Sequence, residues 1–583
     1  MSKLFYSIFA FLIISSSCTK SLDYFPLTAP TSANYWTSVN NLKLYANEFY
    51  PLLPQHSDGG QLGIYGVENN SDNLLPNTND TRLNGKLTVP STGGGWDFSK
   101  IREANYFLEH YQQVPTAGNE AAIRQYLGEI KFFRAYVYFG LLQKFGDLPW
   151  IGTTLDPDLD ALQKLDGQVK RNIIADSIIA DLDFAIANLL PKEKAEALRI
   201  NSEIAQLFKS RVCLFEGTWE KYHNGSTFGV DGSNGSKYIT LAATAAKAII
   251  DGNKYSLAPN YPLLFNQKDL SANPEVLLWK KYNYLLGIFH DLERVITIGG
   301  GNTGLTKGLV DSYLCTDGQP IGVSPLYQGD KSLKLVMQNR DKRLLWTNAF
   351  PGYPLQIYAG NDTVTKFTTP PIDKAQTESR STSGYQIYKG CDPYTDNRPV
   401  GSGEIACISF RYAEALLNYA EAMAELGTIT QNDIDITINK LRDRAGVARL
   451  AIGAIATDPN WDFPALPALI NEVRRERRVE LACEGFRLND LLRWKADAVF
   501  TGKRLKGMLY VGSDIQGTYK AANGSDIIVI GTNLYVDAAG YIDPYQKALP
   551  AGYEFKNNRD YLLPVPTNEI TLSGGTLKQN PNW

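Results

Sequence analysis

Between residues 120 and 145 the chain sets Phe132, Ala135, Tyr136, Phe139 and Leu142 at the spacing of one helix face. An amphipathic helix satisfies that period and a strand does not. Gly146-Asp147-Leu148-Pro149 then ends the helix. The same period predicts helices at 34–50, 96–111, 169–190, 202–215, 239–250 and 408–426, with 432–445 as the partner of the last. Asn201 or Ser202 is placed to cap the helix that begins there. In 408–426, Tyr412, Ala415, Leu416, Tyr419, Met423 and Leu426 form the expected buried side. Glu414, Asn418, Glu421 and Glu425 form the expected wet side. Ala242, Ala243, Ala245 and Ala246 let helices approach closely. A chain with this many apolar-striped helices must stack them, and stacked pairs build extended surfaces rather than closed catalytic clefts.

Three other stretches depart from that pattern. Residues 51–95 are polar and Gly-rich, too long for an idle connection and so a candidate functional loop. From about 251 to 406 Gly, Pro, Tyr and short apolar runs dominate, which predicts loops with a few short strands inserted on the helical frame. Residues 471–495 are dense in charge. Glu472 precedes Arg475 by three and Arg477 precedes Glu480 by three, so a helix there has a solvated or salt-bridged face. A net charge of -3 for the whole chain gives no reason to read this run as a nucleic-acid site.

The first seventeen residues have the form of a secretory signal: Lys3, an apolar run from Leu4 to Ile14, then Ser15 to Ser17. The run is too short to span a bilayer. Cys18 follows directly, as in a bacterial lipobox, although Ser15 stands where Leu is usual. A lipidated Cys18 would hold the chain on a membrane. An ordinary signal cleaved elsewhere is the alternative.

Catalytic and cofactor motifs are missing. There is no GxSxG, HExxH or Walker-type phosphate loop, and His56, His110, His223 and His290 are scattered. Gly299, Gly301 and Gly304 spell GxGxxG after the strand-like 294–298, but no second strand follows at the distance a dinucleotide site needs. That segment reads as a flexible Gly-rich loop, and no cofactor is expected. Cys213, Cys315, Cys391, Cys407 and Cys483 contain no CxxC and read as reduced core thiols rather than a disulfide framework or metal site. Carboxylate pairs of a secreted glycosidase are defined by separation in space and stay open.

Several motifs resemble one family, the RagB/SusD (SusD-like) outer-membrane lipoproteins of Bacteroidetes. They are the Glu-Arg-Arg-x-Glu-Leu run at 476–481, Ala-Cys-Glu-Gly-Phe-Arg at 482–487 and Asp-Leu-Leu-Arg-Trp at 490–494. Residues 128–151, 316–320, 339–344, 411–427 and the ending at 561–583 are similar to the family in the same order. The resemblance implies a mainly α fold, a tetratricopeptide-like α-α superhelix with a loop-rich insertion containing short strands, though no strict 34-residue repeat is present. It implies a signal peptide at 1–17, a lipidated tether at 18–33 and one domain at 34–583. That domain divides into a helical frame at about 34–250 and 407–500, the insertion at about 251–406 and a C-terminal segment at about 501–583. It further implies a non-enzymatic protein on the cell surface, lipid-anchored to the outer membrane, which captures a nutrient and delivers it to a SusC-like TonB-dependent transporter. A glycan or oligosaccharide is the first expectation for the ligand. A peptide or glycopeptide, and a helical scaffold binding only partner proteins, are the alternatives.

Sugar rings stack on aromatic faces and their hydroxyls need directed amide, carboxylate or guanidinium partners. Two stretches combine these groups, 65–75 with Trp96 beyond it, and 279–290. The candidate ligand residues are Tyr65, Asp72, Asn73, Trp96, Trp279, Tyr282 and Tyr284. Each also has a packing reading: Trp96 opens a helix, and Trp279 continues a strand on which Tyr282 and Tyr284 would share one face.

Overall fold

The computed structural model describes residues 35–57, 59, 62–155, 167–358, 364–375, 377–394 and 399–583. The expected signal sequence and Cys18 lie outside the described residues. Among the described residues no helix is long and apolar enough to cross a membrane.

The frame is a succession of helices, each packed on the next: α1 (Val39–Asn47), α2 (Ser99–His110), α3 (Glu120–Phe145), α4 (Arg171–Asn188), α5 (Ser202–Tyr222) and α6 (Ser236–Asp251). Asn201 caps α5, its side chain accepting the Ile204 N–H at 3.0 Å. A large core of Phe, Leu, Ile and Ala side chains runs through the frame, with Phe132, Phe139, Phe208 and Phe215 in mutual edge and tilted contacts.

The insertion carries β1 (Val276–Lys280), α7 (Leu292–Ile298), α8 (Lys307–Ser312), α9 (Lys342–Thr347), β2 (Pro354–Ile357) and β3 (Val364–Lys366). The frame then resumes with β4 (Cys407–Arg411), α10 (Tyr412–Glu425), α11 (Gln431–Ile436), α12 (Ile438–Ala445), α13 (Ala468–Glu480) and α14 (Arg487–Arg493). Strand β4 pairs antiparallel with β1, which ties the insertion to the frame, and β2 pairs with β3. α10 packs against α6, α5 and α13, so the two halves of the frame form one array. Most of the insertion shares a second core with residues 508–542, a core that also takes in Leu62, Tyr65, Leu74, Val479 and Cys483. The five described cysteines are free and buried.

The structure revises four sequence expectations. Residues 294–298 are part of helix α7 rather than a strand; Val295 and Ile296 are packed into the second core without a strand partner, and tertiary burial overrides propensity. The Gly-rich stretch after α7 is not a flexible loop. A Cβ on Gly299 would lie 2.3 Å from the Ser379 backbone, and one on Gly304 would lie 2.2 Å from Ser383 Oγ, so glycine is needed for close approach of two chain segments. The expected helix 432–445 breaks at Thr437, where φ -125 and ψ -90 leave the helical region. The first four residues of the expected helix 408–426 are strand, because with Cys407 they complete the β1 pair.

The largest revision concerns charge. Glu414, Asn418, Glu421 and Glu425, expected on the wet side of α10, are buried. Glu414 takes both bonds of Arg211 (2.6 and 2.7 Å), and Glu421 meets Arg493 and the Trp494 indole N–H. The charged run of α13 is likewise interior. Glu480 is contacted by Arg411 (2.7 Å), Arg444 (2.5 Å) and Arg343 (3.0 Å), and these guanidinium charges outweigh burial and hold its carboxyl far below the usual range. Glu476 takes Arg343 and Arg442, Arg477 takes Asp490, and Glu472 does pair with Arg475 at 3.1 Å. α13 is therefore a salt-bridged axle, and each buried charge has an opposite partner, which is the condition for holding ions inside a protein.

Candidate functional site

Residues 63–70 form a 3-10 helix whose far end is fixed by two interior carboxylates. Glu68 accepts the side-chain amide of Asn73 (2.9 Å) and the backbone N–H groups of Cys483 (3.0 Å) and Gly485 (3.1 Å), at the bend between α13 and α14. Asp72 lies between Arg487 (2.7 Å) and Arg478 (2.9 Å). Burial alone would raise the Asp72 carboxyl, but the two arginines bring it down to about 2. Asn73 Oδ1 accepts from Arg478 at 2.8 Å. The segment beyond is stitched to the glycine stretch: the Leu75 N–H donates to Gly304 O (2.8 Å), the Asn77 N–H to Asn302 O (3.0 Å) and Thr303 Oγ1 to Asn69 Oδ1 (2.7 Å).

The seam between these two segments opens into a groove of about 630 Å³, lined by Gly66, Val67, Asn69, Asn70, 76–81, Gly301 and Asn302. Five of its side chains are asparagine amides, Asn69, Asn70, Asn77, Asn79 and Asn302, each both donor and acceptor. The Oδ1 atoms of Asn70 and Asn302 are buried and have no hydrogen-bond partner. Unpaired interior acceptors cost free energy, and a ligand donor would remove that cost. Asp80 is the groove's carboxyl; burial raises it, and its Oδ1 accepts the Leu83 N–H at 2.9 Å. The groove is amide-rich and open, with Asp80 as its one carboxyl. It suits a hydroxylated ligand and holds no nucleophile-base pair.

Five of the seven candidate residues are inside the fold. Asp72 and Asn73 clamp the groove's wall to α13 as described. Tyr65 belongs to the second core and meets His56 edge-on. Trp279 packs with Tyr261 and Phe265 in a small cluster under β1. The Tyr282 hydroxyl accepts the His56 N–H at 2.8 Å. β1 ends at Lys280, so Tyr282 and Tyr284 do not share a strand face. Trp96 is half-buried, its ring 4.9 Å from Phe145, and lines a separate cleft with Ile151 and Leu572. Tyr284 is 50% exposed. It begins a hairpin closed by two backbone bonds between Asn283 and Ile288 (2.7 and 3.1 Å), whose tip presents Leu285 (78% exposed) and Leu286 (73%). The sequence reading did not single out the groove amides. Their only signal was a polar, Asn-rich stretch at 69–80, and Asn302 joins it from the other side of the chain.

The profile of the SusD family matches residues 281–583, just over half of the chain. The protein belongs to the SusD family, whose members are binding proteins without enzymatic activity. It is 24% identical over 501 residues to SusD-like protein P38 of Formosa agariphila, covering 82% of this chain and 88% of that one. SusD-like protein P25 of the same organism is also 24% identical, over 84% and 89%. Among solved structures, a SusD-like carbohydrate binding protein of Bacteroides fragilis superposes with a TM-score of 0.68 at 22% identity, covering 93% and 99%. A SusD homolog of Bacteroides thetaiotaomicron gives 0.61 at 16%, covering 95% and 98%. The helical frame with its few short strands is thus the SusD-like fold.

Proposed function

We propose that this protein captures a neutral glycan at the cell surface and delivers it to a SusC-like TonB-dependent transporter, held to the outer membrane by lipid on Cys18. The observation that carries the ligand class is the asparagine groove with its two unpaired buried acceptors. Family membership and the carbohydrate-binding description of the Bacteroides fragilis relative support it. In this reading Asp72, Asn73 and Tyr65 position the groove from beneath, and Trp279 and Tyr282 brace the neighbouring hairpin. Tyr284 and Trp96 keep an open aromatic face and stack on further rings of a long chain.

Affinity electrophoresis of the full chain against plant, host and microbial polysaccharides tests this. Retardation on one glycan class, lost in an Asn70→Ala/Asn302→Ala double variant with an unchanged melting curve, is the expected result. Unretarded migration on every glycan refutes it, and so does shortening of the glycan during incubation. The exposed leucines of the 284–289 hairpin favour a second reading, a protein-binding scaffold. Co-purification of a barrel transporter that is lost in Leu285→Asp/Leu286→Asp, without any glycan binding, would select it.

A further inference from the structure

α3 carries two interior glycines. Gly128 has a packing reason, since a Cβ there would sit 2.9 Å from Leu189. Gly140 has none: a Cβ built on it meets nothing within 4 Å. A mid-helix glycine is unfavourable relative to alanine, so its presence where nothing crowds it asks for another cause. The open space beside it is a cavity of about 240 Å³ between α3, α5, β4 and the α13–α14 bend. It shares no lining residue with the asparagine groove.

Tyr136, Gly140 and Gln143 present one stripe of α3 to this cavity, and Asn489 and Ser409 face it from α14 and β4. The side chains of Tyr136, Gln143 and Asn489 make no hydrogen bond to another described residue. Ser409 is 7% exposed, and its hydroxyl is buried and unpartnered. Four uncommitted neutral polar groups therefore surround one space. The charges at its border are already paired: Arg211 with Glu414, Arg411 with Glu484, Arg477 and Arg493 with Asp490. An ionic ligand would be desolvated there with no free counter-charge. Apolar contact is available from Phe486 and from Tyr136, whose ring lies 5.2 Å from Phe208.

We propose that this cavity is a second binding site, for a small uncharged polyhydroxylated molecule the size of a monosaccharide. The ring's C–H face lies against Tyr136 and Phe486, its hydroxyls meet Gln143, Asn489, Ser409 and the Tyr136 hydroxyl, and Gly140 leaves room for it against the helix backbone. The space is far above the about 10–15 Å³ that one water needs, so water fills it when no ligand is bound.

Equilibrium dialysis of the full chain with radiolabelled D-glucose, D-galactose, N-acetyl-D-glucosamine and myo-inositol, with D-glucuronate and D-glucosamine as charged counterparts, tests the site. Retention of at least one neutral probe is expected, with its charged counterpart about tenfold weaker. Gly140→Leu, which fills the cavity, abolishes retention, and Asn489→Ala weakens it about tenfold should Gly140→Leu prove unfolded. The Asn70→Ala/Asn302→Ala groove variant retains the probe, which separates this site from the glycan groove. The proposal is overturned if no neutral probe is retained, if retention survives in folded Gly140→Leu, if affinity is unchanged in Asn489→Ala, or if the groove variant alone removes it.

Discussion

Glu293 lies in the interior with Oε1 accepting the Ile405 N–H at 2.9 Å and Oε2 3.2 Å from His290 Nδ1. The same Nδ1 faces the Leu292 N–H (3.1 Å) and Nε2 faces Ile405 O (2.9 Å), so His290 is neutral, donating through Nε2. Burial pushes Glu293 up to about 8, against the backbone bond from Ile405, and burial takes His290 down to about 4. A carboxyl raised in the folded state binds more protons there than in the unfolded chain. Its stabilisation is complete below an unfolded value of about 4.3 and is lost as pH rises through about 8. Relative to wild type, Glu293→Gln should gain stability as pH rises from about 5 to 8 and be the more stable protein at about pH 8.5, by a few kcal/mol at most. A stability difference between the two proteins that stays constant over this range would contradict it; the wild-type curve alone does not isolate Glu293, because the lowered His290 acts in the opposite sense below about pH 6.5. Asp72 has the opposite sign. Lowered to about 2, it stabilises above about pH 3.9 and loses this as pH falls through about 2. Asp72→Asn should cost up to roughly 3–5 kcal/mol at neutral pH by leaving Arg478 and Arg487 with only the partly exposed Asp462 as a carboxylate partner, with the deficit shrinking toward about pH 2. Chemical denaturation of both proteins across pH measures it.

At the scale of the element, the same Gly140 makes a stability prediction that is independent of ligand. Gly140→Ala introduces a methyl that meets no neighbour, so it should stabilise α3 by about 0.5–1 kcal/mol and raise the melting temperature. A lower melting temperature would mean that the glycine serves packing. The long helices were legible because a 3.6 period with Phe132, Tyr136 and Phe139 on one face survives any context. Faces were harder. Glu414, Glu421 and Glu425 recur at the same period as a solvated stripe, and sequence does not say whether water or an arginine from α5, α13 or α14 lies opposite. Short elements were hardest, since 294–298 (Arg-Val-Ile-Thr-Ile) and 407–411 (Cys-Ile-Ser-Phe-Arg) are too short for a period to decide, and their states are set by whether a partner strand is in reach. The stretch 65–75 was legible as a polar loop, but not that Asp72 and Asn73 turn inward while Asn70 and Asn302 line the groove, because exposure is a property of the fold.

Over the whole molecule, two cores meet at α13. The frame supplies Arg411, Glu421 and Glu425, and the second core closes on Val479, Ala482 and Cys483. Arg343, on α9 in the insertion, reaches across to Glu476 (2.5 Å) and Glu480 (3.0 Å) while also holding Asp341 (2.7 Å). It is fully interior, so its removal leaves Asp341 with no guanidinium and takes one of the arginines from Glu476 and Glu480. Arg343→Met should therefore cost about 3–5 kcal/mol, and the loss falls on the join between the cores rather than on either core's packing. Wild type is expected to melt as one calorimetric unit, because neither core can open without breaking the ion pairs of α13. In Arg343→Met the insertion should open first: calorimetry resolves a second, earlier transition, and amide exchange at 305–350 accelerates before exchange in α3 to α6. A single transition that moves down without splitting would show that β1–β4 pairing and apolar contact suffice to couple the cores, and that the charged axle sets stability alone.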